Sequence, residues 1–92
     1  MLERDPRQLA TDILEHLRNG FLATLAPALV SLPDDAVAAV QKQAQHLGTP
    51  ALVRAMETLG ETLVEMREAL DTRISLEVAL VRIARPDADT SP

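Results

Sequence analysis

The chain has 92 residues, a formal net charge of −5, no cysteine and one aromatic residue, Phe21, although 47% of its residues are hydrophobic. A core of Leu, Val, Ile, Ala and Met suits helices packed side by side and argues against a β-sandwich, while the lack of cysteine excludes disulfides, a thiolate nucleophile and Cys-ligated zinc. Because phosphate neutralisation dominates nucleic-acid binding, a net-acidic chain with scattered Arg and Lys is not expected to bind DNA directly.

The first predicted helix runs from Pro6 to about Ala26. Asp5, Pro6 and Gln8 form a capping-box pattern with proline at the first helical position. Apolar residues then recur every three or four positions and stay in phase past Asn19–Gly20, a dipeptide that could otherwise mark a turn. These residues are Leu9, Ile13, Leu14, Leu17, Phe21, Leu22 and Leu25. The pattern predicts one continuous helix, followed by a connection over residues 27–33.

The second predicted helix begins at Pro33 or Asp34 and ends at Leu47. Ser31 is a candidate cap, and Gly48 occupies the position after the helix where glycine is common. The apolar face is thin and rich in alanine; its members are Val37, Val40, Ala44 and Leu47. Because small residues let helix backbones approach, we expect this helix to pack closely against a neighbour.

The third predicted helix begins at Thr49–Pro50 and carries the strongest periodicity in the chain. Its apolar residues follow a heptad seam typical of bundle packing: Leu52, Met56, Leu59, Leu63, Met66 and Leu70. Gly60 lies inside this helix at a cost in helix propensity, which favours a close helix contact there over a hinge. An acidic stripe on the same helix is interpreted as a solvated face or a docking surface for a basic partner: Glu57, Glu61, Glu65 and Glu68.

The last predicted element, over residues 74–83, fits two periodicities. Ile74, Leu76, Val78 and Leu80 alternate as a strand would, but no second strand-like run exists to pair with it, so a helix that is apolar on most sides is favoured. Such a helix is expected to be the central one, enclosed by the others, and Leu80→Ala would then cost roughly 2–5 kcal/mol. Pro86 ends the helix. The sequence thus predicts an all-α bundle of about four helices over residues 1–86, with a flexible linker beginning at 87–92.

Residue patterns that carry chemistry are missing from this sequence. No Gly-rich phosphate loop is present, and His16 and His46 lack the spacing of metal ligands, so ordinary surface or boundary histidines are favoured. We therefore expect no catalytic, cofactor-binding or metal-ligating residue in this chain, which is not expected to be an enzyme. With no apolar run long enough to span a bilayer and no signal segment, a cytoplasmic protein that does not contact membranes is expected.

Four charged residues bracket the last helix, namely Arg73, Glu77, Arg82 and Arg85. They could simply be charges at the margin of a buried helix, with the last two favourably placed near its negative end. They could also form ion pairs between subunits. The residues alone leave both interpretations open.

The segment over 73–86 has an Arg, two residues, the series Leu-Glu-x-Ala-Leu-x-Arg-Ile, and a closing Pro. It resembles the last helix of domain III, the collar-forming domain, of the gamma/tau subunit of the bacterial DNA polymerase III clamp loader. The resemblance continues in order through the earlier helices, where the chain is similar to the gamma/tau collar region of high-GC Gram-positive bacteria. The other matching residues are Asp5 to Arg7, Leu14 to Arg18, Leu47 and Gly48, and Met66 and Arg67.

This resemblance implies an oligomerisation domain that acts in DNA replication. Copies of it would associate with each other and with the delta and delta-prime subunits into a helical collar, from which ATPase modules act on the sliding clamp. The family's ATPase and zinc-binding motifs are not in this sequence, so the chain is expected to be a piece of the longer subunit with an added Met1. The resemblance favours the intersubunit role for Arg73, Glu77, Arg82 and Arg85.

Two other classes of protein share some of these features. A free-standing helical docking domain unrelated to replication would have the same composition and periodicity. An acyl-carrier-type protein is also small, acidic and helical, but it needs a serine between Asp and Leu at the start of its second helix. Ser31 follows Val30, and Ser75 comes too late in the chain, so this alternative is the weaker one.

Overall fold

A computed structural model describes residues 5–85, which form four α-helices and one short 3-10 turn. The helices are α1 (Pro6–Leu25), α2 (Asp34–Leu47), α3 (Thr49–Glu65) and α4 (Thr72–Ala84), and the turn Pro27–Leu29 lies between α1 and α2. No strand occurs in this part of the chain, so the predicted all-α bundle of about four helices is confirmed. The predicted linker over residues 87–92, and the boundary at Pro86, lie outside the described residues.

The helix ends show which capping predictions are correct. Asp5 caps α1, because its carboxylate accepts a hydrogen bond of 3.3 Å from the backbone N–H of Arg7. The side-chain amide of Gln8, the expected reciprocal partner, donates a 2.9 Å hydrogen bond to Asp12 Oδ1. Ser31 is not the cap of α2, whose N-cap is Pro33. Gly48 ends α2 with a φ of 89°, a backbone conformation that glycine adopts without a steric cost.

The main core lies between α1, α3 and α4. Its buried residues are Ala10, Leu59, Met66, Leu76 and Ala79, with Ile13, Leu14, Leu17, Leu63 and Ile83 packed around them. The helix α2 covers a second face of α1, where Val40 and Ala44 are buried. The amide of Gln41 donates a 2.7 Å hydrogen bond to the carbonyl of Ala23, in the last turn of α1 where carbonyls lack helical partners. The predicted close packing of α2 is confirmed by its contact with Gly20, which is buried.

The predicted seam of α3 is correct only in part. The residues that α3 buries are Leu52, Ala55, Leu59 and Thr62, and Met66 just beyond the helix is also buried. Leu70 lies past the helix end and is fully exposed, so the heptad seam stops one turn before it. The expected close helix contact at Gly60 is wrong within this chain, since a Cβ atom there would meet nothing within 4 Å.

The structure also corrects the position of α4. This element is a helix, as predicted, but it is not enclosed by the others: it packs against α1 and α3 and leaves its far side open. Leu76 and Ala79 are buried, whereas Leu80 is 38% exposed. The helix α4 is therefore apolar on most sides, although only one of its sides packs into the core. No helix within residues 5–85 is long and apolar enough to cross a membrane.

Candidate protein-interaction surface

An apolar stripe runs along the open side of α4. Its members Ile74, Val78 and Val81 are 56%, 44% and 52% exposed. They are spaced by four and three residues, so they lie above one another on a single face of the helix. We call these three residues the α4 outer stripe.

The α4 outer stripe lies opposite the side that packs into the core. At about 100° of rotation per residue, Leu76, Ala79 and Ile83 form the inner side, and Ile74, Val78 and Val81 fall roughly half a turn away. The inner side is buried or packed against the core cluster. The outer side carries β-branched side chains, which lose little rotamer freedom when they become buried. An exposed apolar face of this kind is typical of a surface that contacts another protein.

Hydrogen bonds at both ends of α4 stabilise the helix that carries this stripe. Asp71 caps the helix, since its carboxylate accepts a hydrogen bond of 3.0 Å from the backbone N–H of Arg73. This cap was not predicted from the sequence, although an Asp shortly before an apolar helical segment is a known start signal. At the other end, the N–H of Arg85 donates to the carbonyl of Val81 and closes the last turn.

The four charged residues singled out from the sequence are all exposed on α4 or at its end. Glu77 and Arg82 fall on opposite sides of the α4 outer stripe, and Arg85 continues the line of the stripe beyond the helix. Arg73 lies on the flank of the helix that carries Leu80. The four residues therefore do not form one cluster. Glu77, Arg82 and Arg85 border the apolar stripe, and Arg73 lies further round the helix, beyond Glu77; we call the four residues the charged rim, which has three positive charges and one negative charge.

The apolar members of this surface were not identified from the sequence as exposed. Together with Leu76 and Leu80 they indicated a helix that is apolar on most sides and enclosed by the others. The sequence does not show that, within residues 5–85, α4 packs mainly against α1 and α3. One signal was available. In a bundle of about four short helices, a terminal helix with almost no polar side has more apolar surface than its neighbours can cover.

A second feature is a half-open cleft of about 130 Å³ between α1, α2 and α3. It is lined by apolar groups that include Leu17, Val40 and Leu52. At its edge the ring Nε2 of His16 and the amide Oε1 of Gln43 are 3.0 Å apart and hydrogen-bonded. This pair joins α1 to α2, which accounts for His16 as a structural residue, while His46 is exposed at the end of α2.

The carboxylates of α3 do not gather into a site. Glu57, Glu61 and Glu65 are exposed on α3, whereas Glu68, which was predicted to continue this stripe, lies in the turn after the helix and is also exposed. Among the described residues no group of three or more His, Asp or Glu side chains could hold a metal ion. Every buried side-chain nitrogen or oxygen in residues 5–85 has a hydrogen-bond partner.

A family model and individual relatives with known names both match this chain. The family model for domain III of DNA polymerase III subunits gamma and tau matches residues 3–91. The DNA polymerase III subunit gamma/tau of Mycobacterium bovis and that of Mycobacterium tuberculosis are each 36% identical to this chain over 89 residues, which is 91% of the chain and 15% of the relative. The chain thus spans about 15% of the length of the curated relatives it matches. No solved structure matches it.

Proposed function

Because the chain belongs to the family of domain III of DNA polymerase III subunits gamma and tau, we propose that it is a subunit-association domain of a clamp loader in DNA replication. Its task is to hold subunits together as part of a helical collar. The chemistry of ATP hydrolysis and clamp opening belongs to other parts of the assembly. The chain contributes binding surfaces and no catalytic group or cofactor site.

The α4 outer stripe is the observation that supports this proposal. Ile74, Val78 and Val81 expose apolar surface on a helix whose other side anchors the core. Burying that surface against another subunit is favourable by roughly 25 cal/mol for each Å² removed from water. A polar rim around an apolar centre is the usual arrangement of a protein interface.

The charged rim gives the interface its selectivity. Rim charges change association rates and disfavour wrong partners more than they add to affinity. We therefore assign Arg73, Glu77, Arg82 and Arg85 to contacts with neighbouring subunits. Those neighbours are further copies of this domain and the delta and delta-prime subunits of the same complex.

A substitution on the α4 outer stripe tests the proposal. Val78→Asp places a charge at the centre of the stripe but leaves the core side of α4 unchanged. Leu29→Asp is the matched control, because Leu29 is 67% exposed and lies on the turn between α1 and α2. Self-association and binding to delta and delta-prime would be measured by sedimentation velocity across a range of concentrations.

We expect the wild-type chain and Leu29→Asp to associate, and Val78→Asp to lose association while it stays folded by circular dichroism. The proposal is contradicted if the wild-type chain neither self-associates nor binds delta or delta-prime. The proposal also fails if Val78→Asp associates as strongly as the wild-type chain.

A further inference from the structure

Gly60 has no structural reason to be glycine within this chain. It lies inside α3, where glycine lowers helix stability relative to alanine. Its φ is not positive, and a Cβ atom added there would meet nothing within 4 Å. The contrast is Gly20, where an added Cβ would press against the neighbouring helix α2. The described residues 5–85 thus explain Gly20 but provide no close neighbour for Gly60.

The surface around Gly60 is apolar in the middle and acidic at its edge. Val53 and Val64 lie on the same side of α3 as Gly60, seven residues before it and four after it. Val64 is 60% exposed and Val53 is half-buried. Glu57 and Glu61 lie along one edge of this line and are exposed. We call these five residues the α3 outer surface.

The two exposed surfaces have complementary charge. The rim of the α4 outer stripe carries Arg73, Arg82 and Arg85 against a single Glu77. Three carboxylates lie on α3, those of Glu57, Glu61 and Glu65, and a fourth, that of Glu68, lies in the turn just after it; over the same stretch the basic residues are Arg54 and Arg67. A positive rim around one apolar stripe and a negative edge beside another favour contact between the two.

We propose that the α4 outer stripe of one copy packs across Gly60 on the α3 outer surface of a second copy of this chain. The missing side chain at Gly60 lets the backbone of the incoming helix approach α3 closely, so Val78 and its neighbours contact Val53 and Val64. The arginines around the stripe then face the carboxylates of α3. This inference rests on the proposed function and names the partner surface for it.

The contact is heterologous, because each copy contributes two different surfaces: its α4 outer stripe, the giving surface, contacts one neighbour, and its α3 outer surface, the receiving surface, contacts another. Contacts of this type join subunits head to tail and produce rings when the rotation closes. Every copy at the end of a row then keeps one unused surface for a different subunit. A two-fold contact between two α4 helices would instead stop at the dimer.

A complementation experiment with two variants separates these arrangements. Val78→Asp disables the giving surface and keeps the α3 outer surface intact. Gly60→Gln blocks the receiving surface with a helix-compatible side chain and keeps α4 intact; the open space around Gly60 accommodates the new residue. Ala38→Gln is the control, because it adds the same side chain at an exposed position of α2. Each variant, and a 1:1 mixture of the first two, is measured by sedimentation velocity.

We expect each of the two variants alone to lose self-association by at least about tenfold in Kd. The 1:1 mixture should recover a heterodimer and nothing larger, since one intact surface of each kind remains. Ala38→Gln should behave as the wild-type chain. If Gly60→Gln associates like the wild-type chain, or if the mixture stays monomeric, the pairing is overturned while the proposed function stands. If the wild-type chain binds delta or delta-prime but does not self-associate, the pairing is overturned and the proposed function stands. If the wild-type chain neither self-associates nor binds delta or delta-prime, both the pairing and the proposed function are contradicted.

Discussion

A Cβ atom added to Gly20 would lie 3.3 Å from the Cβ of Ala44, closer than van der Waals packing normally allows. Gly20 is on α1 and Ala44 is on α2, and both are buried. The two helices therefore touch almost backbone to backbone at this point. The same added atom would lie 3.6 Å from the carbonyl oxygen of Val40, an ordinary van der Waals distance, so the tight contact is the one with Ala44.

The two glycines inside helices should respond differently to alanine. Gly60→Ala should raise the free energy of unfolding of the isolated chain by about 0.5–1 kcal/mol, because alanine favours the helix and the site is open. Gly20→Ala gains the same helix propensity but must push Ala44 away, so its net gain is smaller or negative. Urea denaturation of both variants compares them directly. Equal stabilisation at the two positions would show that α1 and α2 are not held in close contact.

Two leucines that differ in burial, Leu59 on α3 and Leu80 on α4, make a second matched pair. Leu59 is fully buried, and Leu59→Ala should lower the free energy of unfolding by about 2–5 kcal/mol. Leu80 is 38% exposed, which lowers the expected cost of Leu80→Ala to about 1 kcal/mol, below the range that a central α4 would require. Chemical denaturation of both variants is the measurement. A loss at Leu80 as large as that at Leu59 would mean that α4 is enclosed after all.

This difference shows which parts of the fold the sequence could predict. The stripe from Leu9 to Leu25 defined α1, and the Asp5–Pro6 start was correct because capping is local chemistry. The burial of α4 depends on which helices cover it, and that is decided by packing between distant segments. An apolar helix such as residues 74–83 has no polar side to show its orientation, so exposure of Val78 could not be predicted from periodicity.

The charged residues of the candidate surface illustrate the same limit. The sequence singled out Arg73, Glu77, Arg82 and Arg85, and helical spacing fixes their positions around α4. The apolar stripe between them became visible only when the structure showed that no other helix within residues 5–85 covers it. Likewise, a glycine inside a helical pattern indicates a close approach but not its location: the approach within this chain is at Gly20, not at Gly60.

The cap of α4 offers a third prediction. Asp71→Ala removes the acceptor for the N–H of Arg73 and should lower the free energy of unfolding by about 1 kcal/mol. Asp71→Asn keeps an acceptor oxygen at the same place and should cost only a few tenths of a kcal/mol. Thermal and urea unfolding of the two variants provide the comparison. Equal losses for Ala and Asn would exclude the hydrogen bond as the source of the effect.

A fourth prediction concerns the hydrogen bond between α2 and the end of α1. Gln41→Met keeps the length of the side chain but removes the donor to the part-buried carbonyl of Ala23, so the free energy of unfolding should fall by about 1–2 kcal/mol. Lys42→Met is the control, because Lys42 is the next residue on the same helix and is exposed. Amide hydrogen exchange should show faster opening at the end of α1 in Gln41→Met only. Uniform exchange in both variants would show that this bond does not hold the two helices together.

The last prediction is that salt weakens self-association. In the proposed contact, arginines at the rim of α4 face carboxylates on α3, and attraction between exposed charges is screened as the Debye length falls from about 10 Å at 0.1 M salt to about 3 Å at 1 M. The Kd for self-association should therefore rise with salt, whereas a purely apolar contact would tighten or stay unchanged. Replacing both Glu57 and Glu61 with Gln should raise the Kd at low salt and flatten its salt dependence. The matched control is the pair Glu15→Gln and Asp35→Asn, which removes two exposed charges from α1 and α2 and should leave the salt dependence as it is. If both double variants flatten it equally, net charge rather than the α3 outer surface governs association.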